Sequence, residues 1–259
     1  LYGNNFRRQQ LTPELLNKVK LEQMEAIHKR LYSNAADFRF TFVGNMSAEQ
    51  LKPLVEKYIG SLPTAKSKAK LVDDNVRIVK GGVDSEFKVK MEQPKVSVFF
   101  GYSGDAEYTM KNIITAKYLS AALSNRYLKS IREEKGGTYG VSSRVSLAPR
   151  IKEYFVQIAF DTNEQMADEL AAIIVAEIEK IAAEGPLAED LNKAREFENK
   201  NFSKSMEQNN WWSTAIDDYY KYGINTVEEY LPAVNSVSAA DVQALAKKIL
   251  ADGNIVKVV

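Results

Sequence analysis

A chain of 259 residues with 35 lysines and arginines against 34 aspartates and glutamates, one histidine and no cysteine lacks most of the usual catalytic inventory. Without a thiol there is no disulfide, cysteine nucleophile, zinc ribbon or Cys-ligated iron–sulfur cluster, and His28 alone cannot make a two- or three-histidine metal site within one copy. A formal net charge of +1 gives no reason to expect nucleic acid, which calls for a clear basic excess, and no apolar run approaches the ~18 residues that span a bilayer.

Composition is otherwise that of a folded domain, 45% hydrophobic and 27% charged, and the length suggests one or two domains. The first residue is Leu1 rather than a methionine, so we expect a portion of a longer protein whose targeting signals lie elsewhere.

In chain order, a helix is expected over residues 11–32. Thr12 can cap it, Pro13 takes its first position, and Leu15, Val19, Met24, Ile27 and Leu31 line its apolar face. The alternation Phe38-Arg39-Phe40-Thr41-Phe42-Val43 reads as a strand ended by Gly44-Asn45. Ser47-Ala48-Glu49-Gln50 is a near capping box for a helix to about residue 59. From 64 to 75 the chain turns to Lys, Ala, Ser and Asp with no sustained apolar period, the composition of a linker. We place a domain boundary there, separating 1–66 from 67–259. Strands are then expected at 76–79, 85–91 and 96–102, a long helix over 108–134, and strands over 139–147 and 153–160. Helices follow at 163–183, 188–209, 212–222, 226–234 and 239–251, and the chain finishes on a strand-like 254–259. The pattern is α+β, with antiparallel-rich sheets and helices packed on one face.

An internal repeat runs through this pattern. Met24-Glu25-Ala26-Ile27-His28-Lys29-Arg30-Leu31 and Val242-Gln243-Ala244-Leu245-Ala246-Lys247-Lys248-Ile249 agree in polarity at nearly every column, His28 falls opposite Ala246, and each copy precedes a loop and a strand. The first copy continues into Gly44-Asn45-Met46 and a further helix, whereas the second stops within its strand. We therefore expect the tail of one structural unit followed by most of a second, unless two amphipathic helices merely look alike.

Most candidate motifs have ordinary explanations. His28 sits mid-helix with neither H-E-x-x-H nor H-x-x-E-H around it, and a surface or partly buried helical position accounts for it. Lys80-Gly81-Gly82 and Lys135-Gly136-Gly137-Thr138 lack phosphate-loop spacing and read as turns. Trp211-Trp212 with Tyr219, Tyr220 and Tyr222 could form a stacking platform, although packing between late helices explains them better. The stretch from Ser124 to Val141 is different. It reads as a helix end, a Gly136-Gly137 turn that permits positive φ, and a strand beginning at Tyr139. That junction brings Arg132, a fork of donors, near Tyr139, a neutral hydroxyl donor. Together they could hold a peptide carbonyl and stabilise an oxyanion forming on it. Equally, Arg132 could complement the helix dipole while Tyr139 packs in the sheet.

The chain resembles the pitrilysin/insulinase family of zinc metallopeptidases, the inverzincins, which includes mitochondrial processing peptidase. Phe42-Val43-Gly44-Asn45, Ala48-Glu49-Gln50-Leu51, Pro53-Leu54-Val55-Glu56-Lys57-Tyr58 and Leu62-Pro63 are similar to that family's end-of-domain signature. Arg132-Glu133-x-Lys135-x-Gly137-x-Tyr139 is similar to its R-x₆-Y substrate-binding motif, and Ser238-Ala239-Ala240-Asp241-Val242 resembles the start of another end-of-domain unit. The resemblance implies a clam-shell protease of related α+β domains. Its zinc-binding H-x-x-E-H helix lies in an amino-terminal domain, and a carboxy-terminal portion closes over a peptide or unfolded protein substrate.

On that resemblance residues 1–66 are the end of a truncated metallopeptidase-like domain and 67–259 a second such domain. Tyr139 would donate to the scissile carbonyl or its oxyanion, Arg132 would bind substrate backbone, and Gly136 and Gly137 would position the pair. Zinc would belong to the full-length protein, with none bound by this chain alone. The catalytic domain would be met in cis or as a partner subunit, without nucleic acid or a transmembrane segment. The resemblance inclines the compartment to a bacterial periplasm or cell envelope. The alternative is a non-catalytic peptide-binding or scaffold subunit of the same family.

Overall fold

The computed structural model describes residues 1–66 and 68–259. The boundary expected after residue 66 falls at Ser67, outside the described residues. The chain divides into two compact units, Tyr2–Arg77 and Ile78–Val259, with Leu1 belonging to the second.

In the first unit the expected helix 11–32 is two helices, α1 (Pro13–Leu16) and α2 (Leu21–Tyr32). Thr12 caps α1 by accepting from Leu15 N at 3.3 Å, with Pro13 in its first turn. Lys20 gives α2 no side-chain cap. The capping box of α3 (Ala48–Tyr58) forms as expected: Gln50 N donates to Ser47 Oγ and Ser47 N to Gln50 Oε1. Residues 38–43, expected to be a strand, are not assigned to one; Phe38 N donates instead to Ala35 O at 3.2 Å. Alternation selects a strand's two faces but does not supply its neighbour.

The second unit is one five-stranded sheet with helices on one face. Its strands are β1 (Gly82–Ser85), β2 (Val96–Asp105), β3 (Val141–Ala148), β4 (Glu153–Thr162) and β5 (Ile255–Val258), in the order β1-β5-β2-β4-β3. Every pairing is antiparallel except β1 with β5. This is the antiparallel-rich α+β arrangement expected from the sequence. Residues 76–79 are not a strand, and of 85–91 only Ser85 belongs to one.

The helices are α4 (Met110–Tyr127), α5 (Ala167–Glu184), α6 (Ala188–Met206), α7 (Asn209–Tyr222), α8 (Thr226–Ser236) and α9 (Ala239–Asp252). Alternate strand residues Val98, Phe100, Tyr102, Tyr154, Val156, Ile158 and Phe160 are buried against Ile114, Leu119 and Leu123 of α4, Leu170, Ile174 and Ile178 of α5, and Val242, Ala246 and Ile249 of α9. Period-two burial along the strands and period-3.6 burial along the helices make one continuous core. The late aromatics pack edge to face or stacked: Trp211 meets Trp212 and Phe202, Phe202 stacks on Tyr230, and Tyr222 meets Tyr108. Tyr219 and Tyr220 remain exposed.

Candidate functional site

The segment that joins α4 to β3 begins with a change of helical pitch. After Tyr127 the chain runs through a π-helical turn, Leu128–Glu133, rather than continuing as α-helix to residue 134. Glu134 N donates to Lys129 O at 3.0 Å, the five-residue closure that defines this wider turn. The preceding helix end is anchored in the core. Tyr127 is fully buried and donates to Ile174 O at 3.0 Å, and Arg126 pairs with Glu177 at 3.1 Å. Those two charged side chains are only 12% and 6% exposed, and Lys180 takes the second Glu177 oxygen at 3.0 Å. Such a pair fixes geometry more than it adds stability, since its Coulombic gain is set against desolvation.

Within the π-turn Ile131 is fully buried, while Arg132 next to it is exposed. The Arg132 side chain has no hydrogen-bond or ion-pair partner among the described residues. Gly136 follows with φ +62°, a left-handed conformation that glycine adopts without strain, and its N–H donates to Arg132 O at 3.2 Å. Gly137 has a different reason to be glycine. A Cβ there would come within 2.6 Å of Met166 Cε and 2.7 Å of Leu170 Cδ1. Its carbonyl accepts from Thr162 Oγ1 at 2.6 Å, and Lys135 pairs with Glu169 at 2.5 Å. The turn is thus tied to the end of β4 and the first turn of α5.

Tyr139 lies just before β3, not at its head, because β3 begins at Val141. Thr138 Oγ1 accepts from Gly140 N at 3.3 Å and donates to Gly140 O at 3.1 Å. This tight side-chain turn leaves Tyr139 fully exposed. Arg132 and Tyr139 therefore share one connection, and no hydrogen bond joins them to each other. Tyr139 lines a cleft of about 530 Å³ with Phe87, Phe99, Ala159 and Val258 on the sheet face away from the helices. A larger cleft of about 670 Å³ lies between α4, α6 and the outer edge of β3, and contains neither residue. The chemistry follows the donors rather than the volume: Arg132 and Tyr139 offer N–H and O–H groups that no acceptor among the described residues occupies.

The sequence reading identified Arg132, Gly136, Gly137 and Tyr139 but not Thr162, Met166 or Leu170, which hold Gly137 in place. No local signal marks these, because they come from other elements. Zinc, by contrast, does not fit the residues present. Among the described residues there is no group of three or more His, Cys, Asp and Glu side chains that could hold a metal ion, and exposed His28 stands without a second imidazole or a thiol.

The fold is an antiparallel-rich α+β domain in which, among the described residues, no group of side chains could hold a metal ion. The family model described as peptidase M16 inactive domain matches residues 18–197, and the chain belongs to that family. It is similar to the probable zinc protease PqqL of Escherichia coli K12, 28% identical over 171 residues, which are 65% of this chain and 18% of that protein. It is also similar to a zinc protease PQQL-like protein of Arabidopsis thaliana, 21% identical over 231 residues, covering 83% of this chain and 24% of the relative. The chain thus spans a quarter or less of the length of these relatives.

Among solved structures, the periplasmic protease PqqL of Escherichia coli superposes with a TM-score of 0.79 at 20% identity, over 96% of this chain and 28% of that one. A peptidase M16 inactive domain from Pseudomonas fluorescens superposes with a TM-score of 0.77 at 17% identity, over all of this chain and 62% of that one.

Proposed function

We propose that this chain is the carboxy-terminal, substrate-binding portion of a zinc metalloendopeptidase that encloses and hydrolyses peptides. Tyr139 donates a hydrogen bond to the scissile carbonyl or the oxyanion formed on it, and Arg132 binds the substrate backbone. The observation that carries this reading is the pairing of two exposed, internally unpartnered donors on a connection whose other groups are tied down. Preorganised donors of this kind work because they need not reorganise as charge develops. The zinc and its ligands belong to another part of the protein, in cis or in a partner subunit. Residues 1–66 are the end of a preceding unit and 67–259 a second one. We assign the protein to a bacterial periplasm or cell envelope, in keeping with the similar periplasmic protease of Escherichia coli.

The test is turnover of a peptide by the complete protein. Tyr139→Phe and Arg132→Ala should each lower kcat/KM by about 10²–10³, and the 259-residue chain alone should cleave nothing. Wild-type turnover in both variants would remove the assigned roles. A complete protein that binds peptide but never hydrolyses it would establish the scaffold reading instead.

A further inference from the structure

The larger cleft, between α4, α6 and the outer edge of β3, belongs wholly to the second unit and shares no residue with the cleft at Tyr139. Most of the charged groups along it are satisfied. Lys117 Nζ donates to Tyr230 Oη at 2.7 Å and pairs with Glu198 at 3.1 Å, and Tyr230 donates to the same Glu198 oxygen. Lys193 pairs with Glu189 at 2.6 Å. Two groups are left over. Arg144, on the β3 wall, is exposed and has no hydrogen-bond or ion-pair partner among the described residues. Asp190, in the first turn of α6, is only 8% exposed. Its Oδ1 accepts from Asn125 Nδ2 at 2.9 Å, and its buried Oδ2 has no hydrogen-bond partner among the described residues.

A buried carboxylate oxygen without a partner is costly, and a cation brought to it recovers that cost. The surroundings select the cation. Leu147, Ala121 and Ala194 line the cleft with carbon, which suits an aliphatic stem beneath a charged head. Only one carboxylate oxygen is free, so a guanidinium fork meets half of the group it would bridge, whereas an ammonium needs a single acceptor at this point. Lys193 and Phe197, which line the same cleft from α6, are exposed, and exposed side chains change rotamer within nanoseconds. Arg144, all donor and no acceptor, suits the backbone carbonyls of the chain that carries the stem.

We propose that this cleft is a lysine-binding subsite for a peptide. The lysine ammonium donates to Asp190 Oδ2, its methylenes lie along Leu147, Ala121 and Ala194, and Arg144 holds a backbone carbonyl beside it. The subsite rests on the groups of this cleft and not on the roles of Arg132 and Tyr139.

Fluorescence anisotropy on the 259-residue chain tests it, with labelled short peptides of glycine and serine that carry lysine, arginine or norleucine at the centre. Norleucine keeps the stem and removes the charge. The lysine peptide should bind at least about tenfold more tightly than the norleucine peptide, with arginine between them. Asp190→Asn should abolish that preference, and Arg144→Ala should weaken all three peptides alike, by about threefold to tenfold. Arg132→Ala and Tyr139→Phe should leave the preference as it is. Because Arg144 is exposed, its replacement spares the fold and keeps the test decisive should Asp190→Asn unfold. Equal binding of the lysine and norleucine peptides would mean that water alone satisfies Oδ2, and would overturn the subsite. A preference that survives in Asp190→Asn, or disappears in Tyr139→Phe, would place lysine elsewhere and overturn it as well. Cadaverine that binds as tightly as the lysine peptide, and equally well to Arg144→Ala, would make a free diamine the ligand and overturn the assignment to a peptide.

Discussion

Helices α2 and α9 share an apolar pattern, a length of loop and a following strand sequence, yet one has a buried face and the other an exposed one. Around α9 the chain supplies every partner. Helices α4 and α5 meet its apolar face, and β5 fills the slot between β1 and β2. Even its start is secured: Ser238 and Asp241 form a capping box, and Lys111 pairs with Asp241 at 2.6 Å. None of this surrounds α2, whose N-cap is Lys20. An amphipathic pattern states which face must be covered, and only the rest of the polypeptide can state by what.

The contrast can be broken most strongly at the buried ion pair. Glu177→Ala leaves Arg126 charged in the core, and should cost the second unit about 3–5 kcal/mol, read as a fall in the urea midpoint by circular dichroism. Next comes a matched pair of truncations. Ile249→Ala should cost about 2–5 kcal/mol, whereas Leu31→Ala at the aligned position should stay within about 0.5 kcal/mol in this chain. Equal losses at the two positions would mean that α2 is covered after all.

Acid separates the two helices more gently. The hydrogen bond from Lys111, with those from Ser238, holds the Asp241 carboxyl down at about 2 against 3.8. A lowered native value means stability that is complete above pH 4 and is lost as pH falls towards 2. Asp241→Asn should remove that part of the pH dependence, worth about 1–2 kcal/mol for a partly exposed group, as measured by urea titrations at pH 7 and pH 2.5. The smallest effect belongs to the turn before Tyr139. Gly137→Ala crowds the flexible ends of Met166 and Leu170 and should cost about 1 kcal/mol, while Gly140, with open space around it, should accept alanine with less loss.

What was legible in the sequence follows the range of the interactions. Caps at Thr12 and Ser47 were readable because donor and acceptor lie within four residues of each other. The strand at 38–43 was legible as a pattern but is not a strand in this chain, because a ladder needs a second backbone. At the candidate site Arg132 and Tyr139 stood out through the motif they resemble. That Arg126, so close in sequence, would be buried against Glu177 while Arg132 reaches solvent could not be read, because Glu177 comes from α5, 51 residues further along the chain.

By itself the sequence determined the class of fold, the capped starts of α1 and α3, the repeat, and the lack of enough histidine or thiol to hold a zinc ion, since each depends on composition or on neighbours a few residues apart. Tertiary structure alone decided that a Cβ at Gly137 would crowd Met166 and Leu170. It also decided that Arg132 and Tyr139 face solvent without partners among the described residues, and that of two like helices α9 has its apolar face covered and α2 does not. Each of these outcomes is set by atoms far away along the chain, whose positions no local pattern encodes.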